Sequence, residues 1–459
     1  METKDRPPAM LNSDTEMINL LELAAVRTLR VAALGNVDSG KSTLIGTLSH
    51  STLDDGNGYT RKLVCKYPHE LESGRTCTIS THILGFDGEG KSLVVPRSHA
   101  RYPEAYIGAY ASQTVMLMDL AGHQKYLRTT VTGLSQGMID YGLIMVSASQ
   151  PPNHMTIQHL SLCIMYKVPV IIVVTKIDST PSDVLKYTMK RIQQVVRDAG
   201  MKSFELRDAK NIDLLRNNMT SLVPVMKVSC VTGENLDLLK QFLHDLPRRR
   251  RHENKIGRPF EFLVEDIFTV PGVGTVLSGF VNAGQYKKGT AIYVGPTKTG
   301  DFIKTTVKSI HVMQTNVDHV YAGHSACFAV NLTKQERKSL VRRRMFVFDK
   351  PAEPTKTMVA DIVLTKGSPL TMTKGKFQVQ LHILHQRPTC CLVDFVSTDD
   401  DEASCTKEEK IVLSPDLTVR KPVRATFRLL HGAYFVRPGM RCVLRHGVVR
   451  GVGWIVETE

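Results

Sequence analysis

No run of the eighteen or so consecutive apolar residues that a membrane-spanning helix needs occurs anywhere in the 459-residue sequence. A CxxC pair is also missing. The nine cysteines are odd in number and scattered, so neither a disulfide framework nor a zinc site is implied, and adjacent Cys390 and Cys391 read as reduced thiols. The N-terminal METKDRPPAMLNSDTEMINLLELAA mixes acids and prolines into its apolar run and lacks the form of a secretory or mitochondrial leader. A cytoplasmic chain with no membrane partner is the expectation. Composition excludes little else: 42% hydrophobic and 22% charged residues are ordinary for a globular chain. Charge is the outlier, at +15. Such a surplus attracts phosphate-rich partners through counterion release, nucleic acid foremost, although a generally solvated surface accounts for a modest excess equally well.

The length fits about two to four domains. From Leu29 to Leu246 short β-branched runs alternate with amphipathic stretches, the pattern of a sheet with helices on both faces. RVAALG, QTVMLMDL, YGLIMVSAS, VPVIIVVTK and PVMKVSC read as buried strands. Helices are expected over Ser42 to Ser49 and Asp183 to Ala199, the latter carrying Val184, Met189, Ile192 and Val196 at helical spacing, and around Leu236, Leu239, Phe242, Leu243 and Leu246. LPRRRRHENKIGRP then breaks the periodicity and reads as a linker. Its Arg248 to Arg251 run resembles an RNA contact or a nuclear signal, but a solvated interdomain segment is the simpler account. Beyond it, short strands separated by Gly, Pro and Asn turns predict antiparallel β-barrels, in two series. The expected boundaries are an N-terminal extension 1–27, a P-loop nucleotide-binding domain 28–247, a linker 248–258, and β-barrels over 259–350 and 355–459. Residues 256–459 hold 28 Lys and Arg against 19 Asp and Glu, so most of the basic excess lies in the β half. The polar insertion between Gly85 and Gln113, with Tyr102, Tyr106 and Tyr110, has no assigned role, and Asp399 to Glu402 read as an exposed acidic loop.

Gly35, Asn36, Val37, Asp38, Ser39, Gly40, Lys41 and Ser42 fit G-x-x-x-x-G-K-[ST] between a strand and a helix, the setting that confirms a P-loop. Glycine lets the backbone turn tightly and aim N–H groups at phosphate oxygens, and the helix N-terminus adds partial positive charge. Lys41 would reach the β- and γ-phosphates, Ser42 would bind Mg²⁺, and Thr43 continues the helix start. Asp119 and Gly122 form a D-x-x-G at a strand end, where the carboxylate holds magnesium through water and the Gly122 amide meets the γ-phosphate. Alone, that pattern is as readily a turn-forming Asp. Asp178, in Thr175-Lys176-Ile177-Asp178, would accept two hydrogen bonds from guanine that adenine does not offer, with the Lys176 stem along the ring. A helix-capping Asp is the plain alternative, given Ser179, Thr180 and Pro181. Ser229, Cys230 and Val231, at a further strand end, would turn backbone toward the guanine oxygen.

Taken together these elements resemble the translational GTPases. GNVDSGKSTL is similar to the GHVDHGKTTL of elongation factor Tu and its eukaryotic counterpart, and DLAGHQKYLRTTVTGL to the family's DxPGHxxF/Y segment. VEDIFTVPGVGTVLSG and RPGMRCVLRHGVVRGVGWIVE resemble the start of the second and the close of the third domain. Within the superfamily the likeness is greatest to the GTP-binding protein 1 and 2 branch, through HELESGRT, ILGFD, TKID and VSCVTGENLDLLK as well. The resemblance implies a Mg²⁺-dependent GTPase cycling between GTP and GDP, expected as a monomer that binds aminoacyl-tRNA or related RNA and the ribosome, in elongation or in ribosome and mRNA quality control. It implies that His123 positions the attacking water, acting with Lys41 and Gly122, and that Thr78 is a second magnesium ligand from ESGRTCTI. It also places Glu265, Asp266, Phe268 and Ser278 at the pocket for the aminoacyl end. The chain is expected to stop where the third domain stops, without the added domains of the selenocysteine-specific factor.

Three positions depart from the family pattern. Thr175 replaces the Asn of N-K-x-D, which removes an amide that braces the P-loop and lowers the expected affinity for guanine nucleotide. Ser39 replaces a His and Ala121 a Pro, so the second switch is expected to move differently. No arginine finger is evident, and slow intrinsic turnover is expected. Two other readings stand beside this one. The chain could be a GTP-binding scaffold that recruits RNA-decay partners with little dependence on turnover. It could also be the regulatory GTPase of a sulfate-activating enzyme, against which the tRNA-pocket matches speak.

Overall fold

The structure, a computed structural model, describes residues 28–65, 80–120, 134, 138–297, 299–339, 345–364, 370–373, 377–397, 410–413, 423–446 and 449–459. Thr78, Ala121, Gly122 and His123, the 1–27 extension and the acidic run 399–402 lie outside the described residues.

Seven strands form the sheet of the α/β domain: β1 (Leu29–Gly35), β2 (Ser80–Phe86), β3 (Gln113–Asp119), β4 (Tyr141–Ser147), β5 (Val170–Thr175), β6 (Lys202–Glu205) and β7 (Leu222–Lys227). Their spatial order is β2-β3-β1-β4-β5-β7-β6. All pairs are parallel except β2 with β3, which run antiparallel. Every residue of β1, β4 and β5 is buried, which is why these strands read as unbroken apolar runs. The two edge strands escape a pattern search for the opposite reason: β6 is four residues long with no buried position, and β2 opens on Ser80, Thr81 and His82.

Helices cover both faces: α1 (Lys41–His50), α2 (Tyr59–Val64), α3 (Pro103–Tyr110), α4 (His154–Met165), α5 (Ser182–Asp198), α6 (Ile212–Asn217) and α7 (Leu236–Asp245). Helix α7 buries Leu236, Leu239, Phe242 and Leu243 as one stripe, each worth about 1.5–3 kcal/mol of transfer free energy. The insertion between β2 and β3 carries a helix that packs on β2. Its helix α3 drives buried Ile107 against Gly85, where an added Cβ would lie 2.7 Å from the Ile107 side chain. His99, Tyr106 and Tyr110 line up with ring centroids 4.9 and 4.6 Å apart.

The segment after α7 is tied down. The backbone N–H groups of Arg249 and Arg250 donate to Asp140 Oδ1 at 3.0 and 2.9 Å, while Arg30 N–H donates to Oδ2 at 2.9 Å. Arg248 pairs with Glu253 at 2.7 Å. The bonds to Asp140 use backbone N–H groups that any residue but proline offers, so they fix the path of the segment, while the side chains of Arg248 and Arg249 are engaged by Glu253 and by the Lys167 carbonyl.

Two antiparallel six-stranded barrels follow. The first is closed by pairing of Ala291–Gly295 with Ile303–Val312 and contains the long hairpin β8 (Glu261–Val270) and β9 (Gly274–Ala283). The second closes through Thr357–Leu364 and Val449–Thr458. By contact density the chain divides into two compact units: the α/β domain to Ile256 with His311–Ala326, and a second made mainly of Gly257–Ile310 and Cys327–Glu459. In the second unit Phe435 sets its ring edge-on to Phe346 and Phe348 at 5.1 and 4.8 Å, and Arg437 reaches Glu261 at 2.7 Å. Among the described residues no helix is long and apolar enough to cross a membrane.

On α4, His159 is fully buried and neither ring nitrogen has a hydrogen-bond partner among the described residues. Burial, with a smaller contribution from Lys41, pushes its pKa from the ordinary 6.5 down to about 3. Between those values the unfolded chain binds a proton that the folded chain refuses, so stability falls as pH drops through this window. At about pH 5 this one group is expected to cost the folded state about 2 kcal/mol relative to neutral pH. In denaturant titrations at both pH values, His159→Leu should show a correspondingly smaller acid loss; an unchanged loss would remove His159 as the source.

Candidate guanine nucleotide site

Four strand ends converge on one edge of the sheet. β1 runs into Gly35, β3 ends at Asp119, β5 at Thr175 and β7 just before Ser229, which is where open α/β sheets bind ligands. The turn out of β1 needs left-handed backbone at Asp38 (φ 60°) and Gly40 (φ 80°) before α1 begins. Gly40 also has to lie close to β5: a Cβ there would sit 3.3 Å from Thr175 Oγ1. Within the loop Ser39 Oγ donates to Asn36 O at 2.8 Å, and Lys41 Nζ donates to Asn36 O at 2.7 Å and Gly35 O at 3.3 Å.

Thr175, which stands where the family pattern has Asn, still reaches the P-loop. Its hydroxyl donates to Ser39 O at 2.9 Å, from a position only 2% exposed, so the brace between the base-reading strand and the P-loop is made by a hydroxyl instead of an amide. A short side chain suffices because Gly40 lets the loop approach β5 so closely.

Ser42 Oγ donates to Asp119 Oδ2 at 2.6 Å, and both residues are buried. A hydroxyl and a carboxylate in contact at the start of a helix are the hard oxygen donors that suit Mg²⁺, with phosphate and water completing the octahedron. Among the described residues no three His, Cys, Asp or Glu side chains gather as a metal cage. Burial lowers the Lys41 pKa, Asp119 and Asp38 oppose that shift, and Arg61 adds to it.

On the base side, Ser229 Oγ donates to Asp178 Oδ1 at 2.6 Å and itself accepts the N–H groups of Val231 (3.2 Å) and Thr232 (3.1 Å). The carboxylate is thus held by the neighbouring strand's loop; it does not cap α5, whose N-cap is Pro181. Lys176 adopts φ 60° and Thr180 Oγ1 donates to its carbonyl at 2.7 Å, fixing the turn between them. The Cys230 thiol is raised to about 12 by burial and stays protonated.

A cavity of about 440 Å³ joins these parts. Of the residues expected from the sequence, Val37, Asp38, Gly40, Lys41, Ser42 and Thr43 line its phosphate end. Thr175, Lys176, Asp178, Cys230 and Val231 line the rest. Gly35, Asn36 and Ser39 form the back of the loop instead, and Ser229 acts through Asp178. Five lining residues were not foreseen: Asp54, Gly56, Gly58, Arg61 and Ser179. The cluster LDDGNGYTR carries a turn signal at this place, but nothing in its spacing says that it folds back over the P-loop. Glu265, Asp266, Phe268 and Ser278 come together elsewhere, on the β8–β9 hairpin, where Asp266 lies opposite Ser278 and Phe268 opposite Val276. Glu265 occupies a bulge there, and Phe268 is 46% exposed.

Such a site defines a P-loop protein that takes a guanine nucleotide with magnesium, carried here ahead of two β-barrels. The family model described as "Elongation factor Tu GTP binding domain" matches residues 26–248, and that described as "Elongation factor Tu domain 2" matches residues 274–339. GTP-binding protein 2 of Homo sapiens is 34% identical over 441 residues, covering 94% of this chain and 69% of that protein. GTP-binding protein 1 of Xenopus laevis is 34% identical over 436 residues, 94% of this chain but 63% of its own length, so the chain spans less than two thirds of that relative. A crystal structure of bacterial selenocysteine-specific elongation factor EF-Sec superposes with a TM-score of 0.64 at 18% identity, covering 94% of this chain and 58% of the other. The chain belongs to the elongation factor Tu-type GTPase family, in the company of GTP-binding proteins 1 and 2. Members of this family bind GTP and GDP with Mg²⁺.

Removing the Thr175 hydroxyl without changing its shape tests the brace. Thr175→Val leaves the buried Ser39 carbonyl without that donor and is expected to weaken GDP and GTP binding by about tenfold each. Equal affinities for the variant and the native chain, measured by calorimetry, would count against it. Asp178→Asn should weaken GTP by at least about a hundredfold and leave ATP as poor a ligand as before, since one acceptor becomes a donor facing the guanine amino group.

Proposed function

We propose that this protein is a GTP-hydrolysing switch of translation: GTP with Mg²⁺ favours a state that binds aminoacyl-tRNA or a related RNA, and hydrolysis on the ribosome releases it, in elongation or in ribosome and mRNA quality control in the cytoplasm. The observation that carries this reading is the ordered nucleotide site, with Ser42 against Asp119 and Asp178 held by Ser229, in a chain whose barrels match the elongation-factor plan.

Lys41 would neutralise the β- and γ-phosphates, and Ser42, with Thr78, would ligate magnesium while Asp119 holds it through water. The P-loop N–H groups and the Gly122 amide take up developing charge, and His123 orients the attacking water. Asp178 selects guanine, with Lys176 along the ring and the Ser229–Val231 turn at its edge. Loops around Thr78 and Gly122 that tighten on the γ-phosphate convert nucleotide state into RNA affinity.

Supporting an RNA client are the basic excess of the β half and the β8–β9 surface formed by Glu265, Asp266, Phe268 and Ser278. The similar solved structure is itself a selenocysteine-specific elongation factor. Weak nucleotide binding at Thr175 would favour a scaffold with little dependence on turnover, and the hydroxyl bond from Thr175 to Ser39 speaks against that weakness.

Titrating aminoacylated and deacylated tRNA in the GTP and GDP states tests the proposal: tighter binding of aminoacylated tRNA with GTP is expected, and indifference to both variables favours a scaffold. His123→Ala is expected to keep GTP affinity within about threefold while ribosome-stimulated turnover falls at least about a hundredfold. Unchanged stimulated turnover would take His123 out of the mechanism.

A further inference from the structure

Arg61 shares the cavity wall with Lys41, Ser42 and Thr43. The helix that carries it, α2, is clamped in place. Asp54, itself buried, accepts the N–H groups of Gly56 (3.1 Å), Gly58 (3.2 Å) and Thr60 (2.9 Å), together with the Thr60 hydroxyl (2.9 Å). On the other side α2 lies backbone to backbone on α1: a Cβ on Gly46 would come within 2.2 Å of the Thr60 carbonyl oxygen. Thr60 Oγ1 lies 3.2 Å from Thr43 O, one residue beyond Ser42. Arg61 follows Thr60 directly, so its position at the mouth of the phosphate end is set by the packing of two helices.

Electrostatics points the same way. Lys41 and Arg61 line one small cavity, and the nearby Arg61 charge makes the Lys41 charge harder to hold. A polyanion between them relieves that repulsion, and the planar guanidinium fork suits phosphate oxygens better than any other side chain. The Asp119 carboxylate, on the magnesium and γ-phosphate side, is not among the residues lining this wall. Ser42 and Thr43, which are, begin α1, where the helix N-terminus meets the phosphates that GDP and GTP share.

We propose that Arg61 is a nucleotide-binding residue that grips the diphosphate portion of the guanine nucleotide in both the GDP and GTP states, supplied by the chain's own α2 helix. The assignment rests on the reading of this cavity as the nucleotide site. It differs from an arginine finger, which stabilises only the transferring γ-phosphoryl group.

Equilibrium titrations of a fluorescent GDP and a fluorescent non-hydrolysable GTP analogue into the native chain and five variants test it. Arg61→Ala and Arg61→Gln are expected to weaken both nucleotides by similar factors, on the order of tenfold or more. Arg61→Lys should recover part of the loss, and Lys62→Ala, on the exposed side of the same helix, should lose nothing. Arg61→Gln keeps the stem that packs on the helix, so it remains informative if the alanine variant folds poorly. Native GDP affinity in Arg61→Gln overturns the assignment, as does a loss confined to GTP or to turnover. Lys41→Ala separates the two levels of inference: its failure to weaken either nucleotide would sink the site itself, whereas a large loss there beside native affinity in Arg61→Gln sinks the role of Arg61 alone.

Discussion

A P-loop has no core of its own. It must hold a row of N–H groups open around a multiply charged ligand, and the only way to keep such a loop from relaxing is to tie it to something rigid. Here the tie is the hydrogen bond from Thr175 Oγ1 to Ser39 O, made from the buried end of β5. Much of the site follows from it. It sets the distance between the P-loop and the strand that leads to Asp178, and it requires Gly40 at the crossing. Ser229 completes the frame by holding Asp178 from β7.

The wall opposite is built differently. No strand end supplies it; Asp54 winds residues 54–60 around its own carboxylate, and the resulting short helix α2 is pressed onto α1 at Gly46. A six-residue helix is too short to be stable alone in water, so its existence depends on this docking. The nucleotide cavity is therefore the product of two separate stabilities, a sheet that would form without the ligand and a helical flap held by side-chain hydrogen bonds.

Charge is distributed to match this division of labour. The α/β domain sets Lys41, Asp119 and Asp178 at the strand ends, with Lys41 destabilised as a cation by burial. The β half carries most of the basic excess, and the core of the second barrel is mainly aliphatic, with Phe427 among it. In the second unit the aromatic contacts among Phe346, Phe348 and Phe435 are backed by the Arg437–Glu261 pair.

The central strands and the order of nucleotide motifs were legible from the residues, because burial on both faces leaves an apolar run and phosphate chemistry leaves glycine, lysine and hydroxyl at fixed spacing. β2 and β6, the insertion helix α3 and helix α4 were not, since edge strands and short amphipathic pieces carry no such period. What the sequence by itself determined is the set of residue types: Lys41, Ser42, Asp119 and Asp178 occur in the order and spacing of a guanine-nucleotide P-loop motif set. Only the tertiary structure decided how those residues are held. At Thr175 a hydroxyl bonds Ser39 where the family pattern has an Asn, and Arg61 lines the cavity only when α2 is laid on α1. Both depend on distances between residues far apart in the chain, fixed by close packing at Gly40 and Gly46, and no local pattern encodes those distances.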